Sequence, residues 1–128
     1  MRKAKKLDTI IVATSTEEKD DAIAEFCLRI NIPCFRGSEN DVLARYYYCA
    51  KQFGIETIVR LTADCPLIDP DIIDSVIKCF FDKHVDYAAN TIPQETSTFP
   101  DGSDVEVFSM RALSQAFFEC NIFIIRMM

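Results

Sequence analysis

The sequence predicts an α/β domain in which helices cover both faces of a mainly parallel sheet. Three observations lead there. Short β-branched runs alternate with apolar stripes at helical spacing, the pattern of consecutive βαβ units. The chain has 128 residues and 49% hydrophobic content, enough for one packed core, so residues 1–128 read as a single domain without internal repeats. Charged residues make up 27%, and there are only 3 Gly and 5 Pro, which excludes wholesale disorder and collagen-like composition.

The elements follow in order. Thr9 to Thr14 (TIIVAT) is a short buried strand. Ser15 and Thr16 can cap the helix after it, with Glu17 and Glu18 in the first turn and Ala22, Ile23, Phe26, Cys27 and Ile30 on one face. Pro33 to Phe35 is a second short strand, broken by Gly37, and Ser38 can cap a helix carrying Leu43, Tyr46, Tyr47, Ala50 and Phe53. Gly54 stops that helix. Thr57 to Thr62 (TIVRLT) is a third strand. Asp69 caps the next helix, Pro70 takes its first position, and Ile72, Ile73, Val76, Ile77, Phe80 and Phe81 form its stripe. Val85 to Asn90 is a fourth strand, and Thr91 to Pro100 a polar loop leading into Pro100-Asp101-Gly102 with turn chemistry. Asp104 to Phe108 alternates, with Val105 and Val107 on one face, and a last helix starts near Met110.

Composition excludes several function classes. The net charge is −6, yet four of the 14 basic residues are Arg2, Lys3, Lys5 and Lys6, so the rest of the chain is strongly acidic. Nucleic-acid binding needs clustered Lys and Arg and is not expected. A nucleotide could still be held if a divalent cation offsets its phosphates. No apolar run reaches the ~20 residues of a membrane span. The basic start lacks a following apolar segment, so no secretory signal is read and a cytoplasmic chain with reduced thiols is expected. The 6 cysteines are unevenly spaced, there is no CxxC, and His84 has no ligand-spaced partner, which argues against zinc. Cys27, Cys49 and Cys79 fall on or beside apolar stripes and read as small buried hydrophobes.

In sheets of this kind, ligands bind beyond the carboxyl ends of the strands. That rule marks Thr14-Ser15, Arg36-Gly37-Ser38 and Thr62-Ala63-Asp64. Asp64 leaves a buried strand directly, and a carboxylate there either holds Mg²⁺, which favours oxygen ligands and substrate phosphates, or bonds its own turn backbone.

The stretch Arg60-Leu61-Thr62-Ala63-Asp64-Cys65-Pro66-Leu67-Ile68-Asp69-Pro70 resembles the R-x-T-G-D-C-P-L-I-D-P signature of the spore-coat polysaccharide cytidylyltransferases, relatives of the acylneuraminate and 3-deoxy-manno-octulosonate cytidylyltransferases. Three further segments agree in order: residues 7–15, residues 35–46 (FRGSENDVLARY) and residues 98–109 (TFPDGSDVEVFS). The resemblance implies a three-layer, Rossmann-like nucleotide-diphospho-sugar transferase fold. It implies transfer from CTP to a sugar or sugar acid, giving a CMP-sugar and pyrophosphate, with Mg²⁺ as cofactor. It assigns Asp64 to the metal and catalysis, and Asp104 to a second acidic contact with metal or sugar near Asp64. Arg36, Gly37 and Ser38 match a segment near the nucleotide. Read from the residues alone, Ser38 is equally a helix cap and Arg36 a solvated strand-end charge.

The departures are as specific. The family's Q-A-R-x-x-S-x-R-L-P-G-K phosphate loop is not found, residues 1–8 look like the end of the helix that follows it, and Ala63 stands where the family has glycine. The apolar stretch Asn121 to Met128 replaces a polar segment. These features lead to the expectation of a domain truncated at both ends, with little or no transferase activity on its own. Strand edges left without partners would favour self-association into a homo-oligomer, unless the Thr9–Thr14 and Thr57–Thr62 strands pair directly or Ile122 to Ile125 fills the gap as a strand. The alternative to an enzyme is a non-catalytic remnant or interaction module of the same family.

Overall fold

The computed structural model describes residues 3–91 and 103–119. The expected loop from residue 92 to 100, the turn at residues 100–102, Cys120 and the expected filler strand at residues 122–125 lie outside the described residues. The elements in chain order are β1 (Val12–Ser15), a 3-10 turn (Glu18–Asp20), α1 (Asp21–Arg29), β2 (Cys34–Gly37), α2 (Val42–Phe53), β3 (Thr57–Arg60), α3 (Pro70–Asp82), β4 (Tyr87–Ala89), β5 (Glu106–Ser109) and α4 (Met110–Glu119). The mixed α/β class holds. The chain forms two compact units, one of Thr9–Glu56 with Leu113–Met128 and the other of Met1–Asp8 with Thr57–Ala112.

In the first unit β1 and β2 pair in parallel, Val12 opposite Cys34 through Ser15 opposite Gly37. The strand starts later than Thr9 and runs on to Ser15, because Ser15 serves the strand end and not a helix cap. Its hydroxyl, the Thr14 hydroxyl (3.1 Å) and the Ser15 amide (3.3 Å) all donate to the Asp20 carboxylate. Thr14 and Ser15 are buried polar residues, so Asp20 satisfies groups that would otherwise be stranded. The Ser15 hydroxyl, first among those donors, holds the Asp20 carboxyl below its usual value. On α1 only Cys27 of the expected stripe is buried, and Ile23 and Phe26 are exposed. On α2, Tyr47, Cys49 and Ala50 are buried. Tyr47 stacks on Phe117 of α4 with ring centres 4.1 Å apart, an aromatic contact supplied by residues far apart in sequence.

In the second unit β5 lies between β3 and β4 and is antiparallel to both. β3 and β4 therefore run parallel to each other, joined by α3 in the manner of a βαβ unit with a strand inserted between. The core is Ile73, Val76, Ile77 and Phe80 of α3 against Val105 and Val107, with Leu7, Val59, Leu61, Ile68, Ile72 and Ala88 around it. Asp69 caps α3 by accepting from the Asp71 amide (2.8 Å), and Pro70 opens it, as expected. Phe81 and Cys79 are exposed, so the apolar face of α3 is narrower than its sequence stripe, and Cys79 is not the buried hydrophobe expected of it. Residues 3–8 form turns and not a helix end. The Lys5 and Lys6 amides each donate to Asp74 of α3 at 2.9 Å, which ties the basic segment down.

α1, α2 and α3 end alike. The residues after their last turns, Asn31, Gly54 and His84, adopt left-handed backbone with φ of 55°, 64° and 50°. In each case the following amide reaches five residues back: Ile32 to the Cys27 carbonyl (3.0 Å), Ile55 to Ala50 (2.9 Å) and Val85 to Phe80 (3.4 Å). This is the Schellman terminator, in which an apolar residue follows the left-handed one and launches the next segment. Only Gly54 adopts that backbone without a side-chain penalty. The left-handed conformation costs an L-residue ~1–2 kcal/mol, partly offset by glycine's larger entropy loss on folding. His84→Gly is therefore expected to stabilise the chain by about 0.5–1 kcal/mol. A urea titration followed by circular dichroism checks this, with a higher midpoint for the variant than for wild type and for His84→Ala.

Candidate functional site

The site is built first in the second unit, where β3 leaves the sheet. Leu61 packs toward the core and Cys65 is buried, so the intervening residues are held as a short arch. The Cys65 amide donates to the Thr62 carbonyl (3.1 Å) and closes it. Asp64 projects from this arch as an exposed carboxylate. The Cys65 thiol lies 3.6 Å from Asp64 Oδ1 and donates to it, and the Thr62 hydroxyl lies 3.3 Å from the same thiol. Bonding to Thr62, then to Cys65, with a smaller effect of the Arg60 charge, holds the Asp64 carboxyl below its usual value. Asp64 is thus ionised across the physiological range, and among the described residues its donors are neutral.

Two strands bring a second acidic residue to the same end. β3 and β5 pair with Arg60 opposite Glu106, and the Arg60 guanidinium forms an ion pair with Glu106 across the strands. Tyr87 of β4 donates its hydroxyl to the other Glu106 oxygen (2.7 Å). Burial, then this bond to a carboxylate, pushes the Tyr87 hydroxyl well above its usual value, so it stays a donor. Continuing the register by two residues puts Asp104 level with Thr62. Val105 is fully buried, so the alternation turns Asp104 outward, and it is exposed. Asp64 and Asp104 therefore belong to one end of one sheet, the carboxyl end of β3.

Among the described residues, no three His, Cys, Asp or Glu side chains are grouped so as to hold a metal ion by themselves. Two exposed carboxylates fit a different mode. Mg²⁺ commonly takes one or two protein carboxylates and completes its octahedron with substrate phosphate oxygens and water. Asp64, ionised and lightly bonded, has the donor chemistry for that role, and Asp104 offers a second oxygen ligand.

Arg36, Gly37 and Ser38 lie in the first unit, at the carboxyl end of the parallel pair. Arg36 is not a solvated strand-end charge. Its Nε donates to the Ser15 carbonyl (2.9 Å), one terminal nitrogen to the Glu17 carbonyl (2.9 Å), and the other pairs with Asp21 (2.6 Å). The guanidinium ties the exits of β1 and β2 together. Gly37 is required by space, since a Cβ there would meet Phe35 at 2.8 Å and Arg45 at 3.0 Å. Ser38 is not the helix cap. Asp41 caps α2 by accepting from the Ala44 amide (2.9 Å), while the Ser38 hydroxyl accepts from the Asp41 amide (3.0 Å) one step earlier.

The strand-end rule marks Thr62 together with Asp64, but sequence reasoning did not single out Cys65 or Glu106 as parts of the site. Cys65 carried a signal in its adjacency to Asp64. Glu106 could be found only once its pairing with Arg60, 46 residues away, was known. One outcome follows from the arch. Replacing Thr62 with Val removes the leading donor to Asp64, and the Asp64 carboxyl is expected to move up toward its ordinary value of 3.8. A carboxyl-carbon NMR titration of wild type and Thr62→Val reads this directly, and an unchanged titration would contradict the arrangement.

The profile of the cytidylyltransferase family matches residues 1–122. The uncharacterized protein MJ1063 of Methanocaldococcus jannaschii is 39% identical over 116 residues, covering 91% of this chain and 45% of that protein. The spore coat polysaccharide biosynthesis protein SpsF of Bacillus subtilis is 38% identical over 80 residues, covering 62% of this chain and 33% of that protein. A solved cytidylyltransferase from Leptospira borgpetersenii serovar Hardjo-bovis superimposes with a TM-score of 0.83 at 34% identity, covering 91% of this chain and 49% of that one. The chain thus spans about half the length, or less, of the relatives it matches. Among the described residues no helix is long and apolar enough to cross a membrane. With the match running across nearly its whole length, the chain belongs to the cytidylyltransferase family.

Proposed function

We propose that these residues serve cytidylyl transfer from CTP to a sugar or sugar acid, giving a CMP-sugar for surface polysaccharide biosynthesis. The observation that carries the reading is Asp64, an ionised, exposed carboxylate preset at the carboxyl end of β3, with Asp104 at the same end. Family membership and the printed role of SpsF support the substrate class.

In this reaction a sugar hydroxyl oxygen bonds to the α-phosphorus of CTP while the bond from that phosphorus to the bridging oxygen breaks. Pyrophosphate departs with that electron pair, and the hydroxyl proton is lost to solvent. Asp64 and Asp104 would hold Mg²⁺, which when bound offsets the charge of the triphosphate and of the leaving pyrophosphate. Asp64 does its part by presenting a fixed negative oxygen, kept ionised by Thr62 and Cys65. Arg60 is committed to Glu106, so its contribution is to hold the arch against β5. In the first unit, Arg36 locks the strand exits beside Gly37 and Ser38 with its guanidinium. This reading keeps the reaction in the cytoplasm, where CTP is supplied.

The test is pyrophosphate release from CTP with Mg²⁺ and a panel of sugars and sugar acids, run with protein in excess of CTP so that slow turnover is read. Release is expected to require a sugar from the panel. Asp64→Asn is expected to slow it by about 10²–10³-fold, the scale of losing one preorganised electrostatic contact to the reacting phosphates. A variant as fast as wild type would overturn the assignment.

A further inference from the structure

We propose that Asn90 is the positioning residue for Asp104, an inference that rests on the cytidylyltransferase reading above and deepens it. Asn90 follows β4 directly, where the β4–β5 register ends at Ala89 opposite Glu106. Its side chain then does what a further ladder pair would do. Nδ2 donates to the Ser103 carbonyl (2.7 Å), and Oδ1 accepts from the Val105 amide (2.9 Å). Its own amide donates to the Val105 carbonyl (3.3 Å). The residues bonded on either side are the two chain neighbours of Asp104. One amide side chain therefore fixes both peptide units that flank the acidic residue, and fully buried Val105 anchors the same segment from below.

The consequence for Asp104 is geometric. With Ser103 and Val105 pinned, the freedom left to Asp104 is largely that of its own side chain, and the strand alternation fixes the face on which that side chain emerges. Preorganisation of this kind matters most where a ligand must find two carboxylates together, since a loose member costs affinity for the shared cation. Asp64 has its own support in Thr62 and Cys65, so the two carboxylates are preset by independent devices. An amide is the side chain suited to the Asn90 position, because it presents one donor and one acceptor to a carbonyl and an N–H. Aspartate there keeps the acceptor for Val105 but sets a charged oxygen against the Ser103 carbonyl. That clash is relieved when the new carboxyl takes a proton.

The experiment uses Asn90→Asp and Asn90→Ala in the full chain, with Mn²⁺ and CTP as the probe and Asp64→Asn as reference. Hydrogen exchange at the Val105 amide reads the clamp itself, and electron paramagnetic resonance of Mn²⁺ with CTP reads the carboxylate pair. Wild type is expected to protect Val105 and to bind Mn²⁺ in the presence of CTP. Asn90→Ala is expected to lose that protection. Asn90→Asp is expected to bind Mn²⁺ about tenfold more weakly at neutral pH, the scale of one lost hydrogen bond. Amides of the α3 core should keep wild-type protection in both variants, which a merely destabilised fold would not show. Unchanged Val105 protection in both variants overturns the clamp. Lost protection with unchanged Mn²⁺ binding overturns the link to Asp104 while leaving the family reading standing, provided Asp64→Asn abolishes binding. Absence of Mn²⁺ binding by wild type with CTP overturns the reading and this inference together.

Discussion

The antiparallel pairing of β3 with β5 is the constraint on which the candidate site depends. It puts Arg60 opposite Glu106 and brings together two segments 46 residues apart. Its energy comes mainly from below, where Val105 and Val107 are fully buried against Ile73, and full burial of such side chains contributes roughly 1.5–3 kcal/mol each. The Arg60–Glu106 pair is partly exposed and adds little by itself. Its value is in register. A slip of one residue would turn both valines to the other face and separate the charges, so core and ion pair select the same alignment. That alignment brings Asp104 to the end of the sheet where Asp64 leaves it.

The chain carries 20 acidic residues, and several of the described ones are engaged by partners other than those of Asp64. Asp20 is taken up by the buried hydroxyls of Thr14 and Ser15, and Asp74 by two backbone amides. Asp82 pairs with Lys78, and Asp86 with Arg111 and the Ser109 hydroxyl. Hydroxyls and an amide hold Asp20 below its usual value, backbone amides hold Asp74, and cations lead for Asp82 and Asp86. Asp64 is lowered too, but by a hydroxyl and a thiol first and by the Arg60 charge last. Its charge is organised without being spent, which is what a cation ligand requires. Linkage gives this a sign: a depressed carboxyl contributes stability that is present above its unfolded value and is lost as pH falls through the folded one.

Much of this was legible in the sequence, and the misses have physical causes. α3 could be read from Asp69, Pro70 and the Ile73–Val76–Ile77–Phe80 repeat, because cap, first-position proline and stripe all agree. The Val105–Val107 alternation and the start of α4 at Met110 were equally plain. Periodicity gives the direction of an apolar face but not its width, so Phe26, Phe81 and Cys79 were read as buried and are exposed. Left-handed terminators at Asn31 and His84 carry no glycine to announce them. At the site, Asp64 was found from its place after a strand. Arg36 reads from the sequence as a solvated charge, because carbonyl acceptors at Ser15 and Glu17 leave no side-chain signature. Asn90 looked like the last residue of a strand, and its bracket around Asp104 exists only once β4 lies beside β5.

The central claim is that Asp64 and Asp104 act as one acidic pair toward a cation carried by CTP. The most direct measurement is an amide NMR spectrum of the isotope-labelled chain titrated with trace Mn²⁺ in the presence of CTP, with Mg²⁺ as the diamagnetic reference. Paramagnetic broadening is predicted to centre jointly on residues 62–65 and 103–105, and to disappear from both segments in Asp64→Asn. Broadening confined to one segment, or spread over the acidic surface without regard to Asp64, would contradict the account.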